Sequence, residues 1–201
     1  MRTSPSCKIS RNLQKYETKN IILRKLISLF LIKLSNLIGS TEAINILDLG
    51  CGEGFVIKYL RDINSNLKFE GVDINVAAVD LAKKMNPGVN FQRNDINEVQ
   101  YNVNSFDLVM LIEVLEHLED PGVVLNEIKK FSNKYFVFSV PCEPFFSIAN
   151  FLRGKNILRW GNDPEHLHKW SRNQFVAFVG KYYSVLKVVC PFPWIIVLCR
   201  K

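Results

Sequence analysis

From Ala43 onward, short apolar runs alternate with stretches of helical period, and that alternation limits the fold more than any other feature of the chain. Ile44 to Leu49 is an apolar run that ends in glycines, as a buried strand does, and Phe55 to Ile63 follows with helical period. Leu67 to Val72 and Val76 to Met85 repeat the pair, the second helix being stopped by Asn86-Pro87-Gly88. Val89 to Gln92 reads as a third strand. Phe106 to Ile112, broken only by Asp107, is a fourth, Gly122 to Phe131 a helix and Tyr135 to Val140 a fifth strand. Strand and helix in turn require right-handed crossovers on a mainly parallel sheet. The C-terminal part departs from this rhythm. After a helix at Ser171 to Gly180, the runs Tyr182 to Cys190 and Trp194 to Cys199 are joined only by Pro191-Phe192-Pro193, which leaves no room for a crossover and makes the two antiparallel. The last run is apolar on both faces, which places it inside the sheet with its partner outside. The expected fold is α/β, with seven strands, one of them reversed, and helices on both faces.

Ahead of this lie an arm and a helix, residues 1–40, expected to pack on or cap the main domain of residues 41–201 within one structural unit. Residues 1–18 carry Arg2, Lys8, Arg11 and Lys15 with little periodicity. From Lys19 to Ile38 apolar residues cover a wide helical face, with Arg24, Lys25, Ser28, Ser35 and Asn36 on the other, until Gly39 and Ser40 stop the helix. Its plain role is packing on the sheet; its broad apolar face and basic border also suit peripheral contact with a membrane. Arg24, Lys25 and Lys33 interrupt the run, so it lacks the roughly 18 uncharged residues of a membrane span. The polar first 20 residues show no secretory signal. Five cysteines, odd in number and without a C-x-x-C pair, argue against a disulfide framework and for a reducing, cytoplasmic setting. At 48% hydrophobic residues the chain has enough for a core, which excludes a largely disordered protein. A formal charge of +7 suits anionic partners such as nucleic acid or lipid without selecting one.

The chemistry centres on Ile46-Leu47-Asp48-Leu49-Gly50-Cys51-Gly52-Glu53-Gly54, where a strand feeds a glycine turn and the turn opens a helix. Glycines there let a ligand approach the backbone. The spacing is G-x-G-x-G, not the G-x-G-x-x-G of a dinucleotide site, because Phe55 stands where the third glycine would be. Asp73, in Gly71-Val72-Asp73-Ile74, closes the second strand and can accept from both hydroxyls of a ribose. Asp95, in Asn94-Asp95-Ile96, follows the third strand and suits the amine of a base. Asp48, Asp73 and Asp95 thus fall at the carboxyl ends of successive parallel strands, where ligands of open α/β sheets bind.

Together with the run from Phe106 to Pro121, these motifs resemble the class I S-adenosylmethionine-dependent methyltransferases, over roughly residues 43–201 and including the reversed last strand. The resemblance implies a Rossmann-like methyltransferase sheet. It implies Gly50, Gly52 and Gly54 at the methionine moiety; Asp73 on the ribose; Asp95 with Ile96 at the adenine; the backbone of Leu111 to Glu113 beside the sulfonium; and Asp48, Cys51 and Ile74 among the cofactor-binding residues.

On the acceptor side, Glu113, Glu116 and His117 have i, i+3, i+4 spacing and would share a face of a helical turn. A lid insertion at about 141–170 follows the fifth strand and ends in Glu165-His166-Leu167-His168, so that His166 can approach His117. Glu113, His117 and His166 are the candidate catalytic residues. Glu113, Glu116, His117 and His166 would be the ligands of a divalent cation, which is a candidate rather than the expected cofactor. The layout is similar to the small-RNA 3′-terminal 2′-O-methyltransferases and, in its first part, to the ubiquinone-pathway O-methyltransferases. The insertion mixes Phe145, Phe146, Ile148, Phe151, Leu152, Ile157, Leu158 and Trp160 with Arg153, Lys155 and Arg159, which suits a lipid-like acceptor or stacked RNA equally. Tyr16 and the arm are placed to close over the pocket. The reading is methyl transfer from S-adenosylmethionine to a small-molecule or lipid- or glycan-linked acceptor, on oxygen; the alternatives are RNA 2′-O-methylation and a non-catalytic S-adenosylmethionine-binding module. The sequence leaves the oligomeric state open.

Overall fold

The computed structural model describes residues 11–147 and 166–201. Two helices, α1 (Arg11–Tyr16) and α2 (Ile21–Gly39), precede β1 (Asn45–Leu49), α3 (Phe55–Ile63), β2 (Lys68–Asp73), α4 (Val76–Met85) and β3 (Asn90–Arg93). Then come β4 (Phe106–Ile112), α5 (Pro121–Glu127), β5 (Ser132–Pro141), α6 (Arg172–Val179), β6 (Ser184–Val189) and β7 (Trp194–Arg200). The strands form one sheet in the order β3-β2-β1-β4-β5-β7-β6. β1 to β5 pair in parallel, whereas β7 runs antiparallel to both β5 and β6. The seven strands, the single reversal and the inner position of the last strand are as the sequence implies.

The period-2 alternation of the strands divides the core into two halves. Met110 and Ile112 of β4, with Trp194, Ile196 and Leu198 of β7, face the side covered by α2, α3 and α4, where Phe30, Leu34, Leu37, Ile57 and Ala82 pack. Val109 and Leu111, with Ile195, Val197 and Cys199, face the other side against Leu125 of α5 and Phe175 of α6. α2 therefore belongs to the main core rather than standing apart from it.

Two boundaries differ from the sequence expectation. The helix expected at Gly122 to Phe131 is α5 followed by a tighter turn, Ile128–Lys130. Asp120 starts it by accepting from the amides of Gly122 and Val123, with Pro121 in the first turn where its missing N–H costs nothing. β5 begins at Ser132, three residues before the apolar run, because the Ser132 hydroxyl donates to the Asp107 carbonyl and carries the pairing through a polar stretch. Asp107 itself, the break in the apolar run of β4, accepts from the amides of Ile44 and Asn45 and from Lys134. The Asn45 amide is the largest of the influences that hold its carboxyl down at about 2. The break is thus a clamp at the start of β1. Most of the lid insertion, residues 148–165 with its apolar and basic side chains, lies outside the described residues, as do residues 1–10.

Candidate active site

β1 ends where the chain must turn sharply into α3, and the turn is tied to the neighbouring strand: the amides of Gly50 and Cys51 both donate to the Val72 carbonyl, at 2.7 and 3.0 Å. Gly50 has φ +81°, and a Cβ there would lie 2.4 Å from Val114 Cγ2. Gly54, at φ +77°, leads directly into α3, and a Cβ there would meet the Asn86 amide at 2.7 Å. Only glycine satisfies both the backbone conformation and the space. The loop is held from the second strand as well, since the Gly52 amide donates to Asp73 Oδ2 at 2.7 Å while Asp73 Oδ1 accepts from the Asn75 amide.

Asp48, Gly50, Cys51, Glu53, Phe55, Ile112 and Glu113 line a pocket at the carboxyl ends of β1 and β4, and Tyr16 of α1 completes its wall. Asp48 is buried, and its Oδ1 has no hydrogen-bond partner among the described residues. Burial, with the nearby Asp73 carboxylate as a second cause, pushes its carboxyl up to about 8. A buried acceptor without a donor is costly, and it is the kind of group that a cationic ligand or a ligand donor compensates. Burial likewise pushes the Cys51 thiol up, so it stays neutral and serves as filler rather than nucleophile.

Glu113 sits one residue beyond β4 with φ +57°, an uncommon conformation for a side chain of this size. Its amide is fixed by the Ser139 carbonyl at 3.0 Å on the neighbouring strand. The carboxylate accepts from Trp194 Nε1 at 2.6 Å and from the Lys15 ammonium, which also lies 4.9 Å over the Trp194 ring. Tyr16 stacks on Phe55 with ring centroids 4.7 Å apart. α1 thus reaches the pocket through an ion pair and an aromatic stack, with Tyr16 in its wall, while residues 1–10 of the arm lie outside the described residues.

The expected face of Glu113, Glu116 and His117 is not formed as one unit. Only Leu115–His117 makes a tight helical turn, and the positive φ of Glu113 turns that residue out of the turn toward Trp194 and Lys15. Glu116, His117 and His166 do come together: one ligand atom from each lies within 4.8 Å of the others, and the two imidazole rings are 4.9 Å apart. Glu113, turned toward Trp194 and Lys15, stands outside this cluster. Both carboxylate oxygens of Glu116 are buried without a hydrogen-bond partner among the described residues, and burial pushes its carboxyl well up. Two imidazoles and a carboxylate are a donor set that suits a divalent cation, and an orphaned carboxylate is consistent with one. His168 faces the other way, its Nε2 2.9 Å from the Leu118 carbonyl and its ring stacked on Trp170, so it braces the turn.

Asp73 ends β2, Ile74 follows it, and Asp95 and Ile96 follow β3; none of the four is among the residues that line the pocket. Asp73 spends both oxygens on the glycine loop and the start of α4. Asp95 Oδ1 accepts from the Asn97 amide and side chain, an Asx turn that shapes the loop. Ile74 is exposed, and Ile96 packs beside the second half of the core. Trp194 and Ser139 have no signature in the sequence. They reach Glu113 across 81 and 26 residues, and only the pairing of β5 with β4 and β7 brings them there.

Residues 40–179 match the family described as a methyltransferase domain. The ubiquinone biosynthesis O-methyltransferase of Bradyrhizobium diazoefficiens is 31% identical over 141 residues, 67% of this chain and 53% of that protein. The phthiotriol/phenolphthiotriol dimycocerosates methyltransferase of Mycobacterium tuberculosis is 33% identical over 70 residues, 34% and 26% of the two chains. This chain thus spans at most about half the length of these relatives. Among solved structures, the plantazolicin methyltransferase BpumL in complex with a pentazolic desmethylPZN analog and SAH superposes with a TM-score of 0.70 at 16% identity, over 94% of this chain and 88% of that one. The methyltransferase domain of a bacterial Hen1 gives 0.67 at 21% identity, over 88% and 100%. At such identities the likeness is one of fold. With the family match covering most of the chain, and with the strand order and glycine loop described above, this protein belongs to the class I S-adenosylmethionine-dependent methyltransferases.

Proposed function

We propose that the chain transfers the methyl group of S-adenosylmethionine to a hydroxyl oxygen of a small-molecule or lipid- or glycan-linked acceptor. The observation that carries the proposal is the pocket at the ends of β1 and β4, lined by Gly50 of the glycine loop and by three acidic residues, Asp48, Glu53 and Glu113. When bound, the cofactor supplies a methyl carbon already activated by a cationic sulfur. The chain must then orient and shield. Asp48 and Glu113 place negative charge where a cationic ligand is favoured, Gly50, Gly52 and Gly54 let the backbone come close, and Tyr16 on Phe55 excludes water. Asp73 with Ile74, and Asp95 with Ile96, would hold the ribose and adenine; in this role Asp73 would give up one of its contacts to the loop. His117 and His166 are the groups that can take the proton of an acceptor hydroxyl. The relatives named above are an O-methyltransferase of ubiquinone biosynthesis and a methyltransferase of phthiotriol and phenolphthiotriol dimycocerosates, which supports an acceptor of that kind.

A second reading is RNA 2′-O-methylation assisted by a divalent cation. It is favoured by the orphaned Glu116 carboxylate beside His117 and His166, and by the fold likeness to bacterial Hen1. In that case Glu116, His117 and His166 would hold the ion, whose charge would acidify the acceptor hydroxyl.

Formation of S-adenosylhomocysteine with a lipid extract or with short RNA as acceptor separates the two. The first reading expects turnover with the extract, insensitive to EDTA and lost in His117→Ala or His166→Ala. Turnover confined to RNA, abolished by EDTA and by Glu116→Gln, transfers the assignment to the second. Tight cofactor binding with neither acceptor consumed in any fraction favours the non-catalytic module.

A further inference from the structure

The net positive charge of this chain is confined to its N-terminal part. Residues 1–41 contain eight Lys and Arg and a single acidic residue, Glu17, whereas residues 42–201 contain 18 of each sign. The whole net charge of +7 is therefore carried by residues 1–41, and +5 of it by the segment from α1 to α2. Within α2 there is no acidic residue at all.

α2 is also apolar on a side that the fold does not use. Ile27, Phe30, Leu31, Leu34, Leu37 and Ile38 face the sheet and are buried. On the opposite side Ile21 and Ile22 are 68% and 71% exposed, with Leu29 and Ile32 at 42% and 45%. Helical spacing puts these four on one outward face, with Lys25 among them and Lys33 and Arg24 at its edges, all exposed. Isolated exposed aliphatic residues need no explanation; four on one helix face ringed by cations do.

We propose that the outward face of α2 docks in the interface of an anionic lipid bilayer, the aliphatic side chains entering the acyl boundary and Lys25, Lys33 and Arg24 meeting the headgroups. Charge complementarity selects this occupant. A helix lying in the interface combines an apolar strip with flanking Lys and Arg, and the anionic leaflet attracts the surrounding basic segment. A second copy of the chain would bring Lys25 and Lys33 against their equivalents. Single-stranded RNA is held by aromatic stacking, and this face offers only aliphatic side chains. No helix among the described residues is long and apolar enough to cross a membrane, so the contact is peripheral. The docking face begins five residues after Tyr16, which walls the pocket, so a bilayer-bound acceptor would meet the site from the adjoining side.

The test is flotation of the full chain with vesicles of equal parts phosphatidylglycerol and phosphatidylcholine, and with pure phosphatidylcholine. The wild type is expected to float with the first and not the second, and to be released by salt. Leu29→Ser with Ile32→Ser, and separately Lys25→Glu with Lys33→Glu, should each weaken binding about tenfold or more while leaving the heat of S-adenosylhomocysteine binding unchanged. That calorimetric arm keeps a failed docking surface distinct from a failed cofactor site. Absence of flotation by the wild type overturns the proposal. So does undiminished flotation by both variants, or a wild-type dimer that the serine variant converts to monomer. Should the serine variant fail to fold, the charge-reversed variant, altered only at exposed lysines, decides alone.

Discussion

Asp48→Asn should stabilise the protein without ligand and weaken its hold on the cofactor. Asp48 is buried, has an unpartnered oxygen, and is pushed from an ordinary carboxyl value to about 8 by desolvation first and by Asp73 second. Its native pKa is therefore above its unfolded one, so the native state binds the extra proton and stability falls as pH rises through the window from about 4 to about 8. At 1.36 kcal/mol per unit, the three units between the unfolded value and pH 7 correspond to a loss on the order of 4 kcal/mol. Asparagine has the same shape and never ionises, so the variant should lack this slope. Urea unfolding across pH 4.5 to 8.5 gives the comparison. The variant is expected to lie within about 1 kcal/mol of the wild type near pH 4.5 and to exceed it by about 4–5 kcal/mol near pH 8. Saturating S-adenosylmethionine should narrow the gap, because a cation near Asp48 favours the ionised form and stabilises only the wild type. A variant-minus-wild-type difference that is the same at both ends of the pH range would refute the assignment of Asp48 as an uncompensated carboxylate.

Gly50→Ala combines a left-handed backbone with a Cβ 2.4 Å from Val114, and should cost about 3 kcal/mol and lower Tm by about 10 °C; an unchanged melting curve would show that the loop relaxes freely. Tyr16→Ala removes the stack on Phe55 and should raise the Kd for S-adenosylhomocysteine about tenfold with little change in Tm, as measured by calorimetry and thermal melting. An unaltered Kd would mean that α1 does not act as a wall of the site.

The sheet was legible because each strand advertises its burial. β7 reads Trp-Ile-Ile-Val-Leu-Cys with both faces apolar, and a strand of that kind has to lie between two others. The glycine loop was legible because its backbone demands glycine at fixed places. Asp107 reads as a blemish in β4 until its amide partners from β1 are known, and the start of β5 is hidden by a polar stretch that a hydroxyl bridges. The spacing of Glu113 with Glu116 and His117 suggested a shared face because i, i+3, i+4 assumes continuous helix. The left-handed residue at 113 breaks that continuity, and nothing in a local pattern reports a φ angle. Trp194 shows the other limit: its indole matters through a contact 81 residues away, which only the completed sheet creates.

That contact has a bearing on how the molecule matures. The indole bonded to Glu113 belongs to the strand that enters the sheet last in sequence order, between two strands already waiting for it. An intermediate with β1 to β5 in place would have the glycine turn and the Glu113 amide held by Ser139, yet a Glu113 carboxylate without its indole partner. Refolding followed by coenzyme uptake should therefore lag behind refolding followed by circular dichroism, and the delay would time the arrival of residues 194–200.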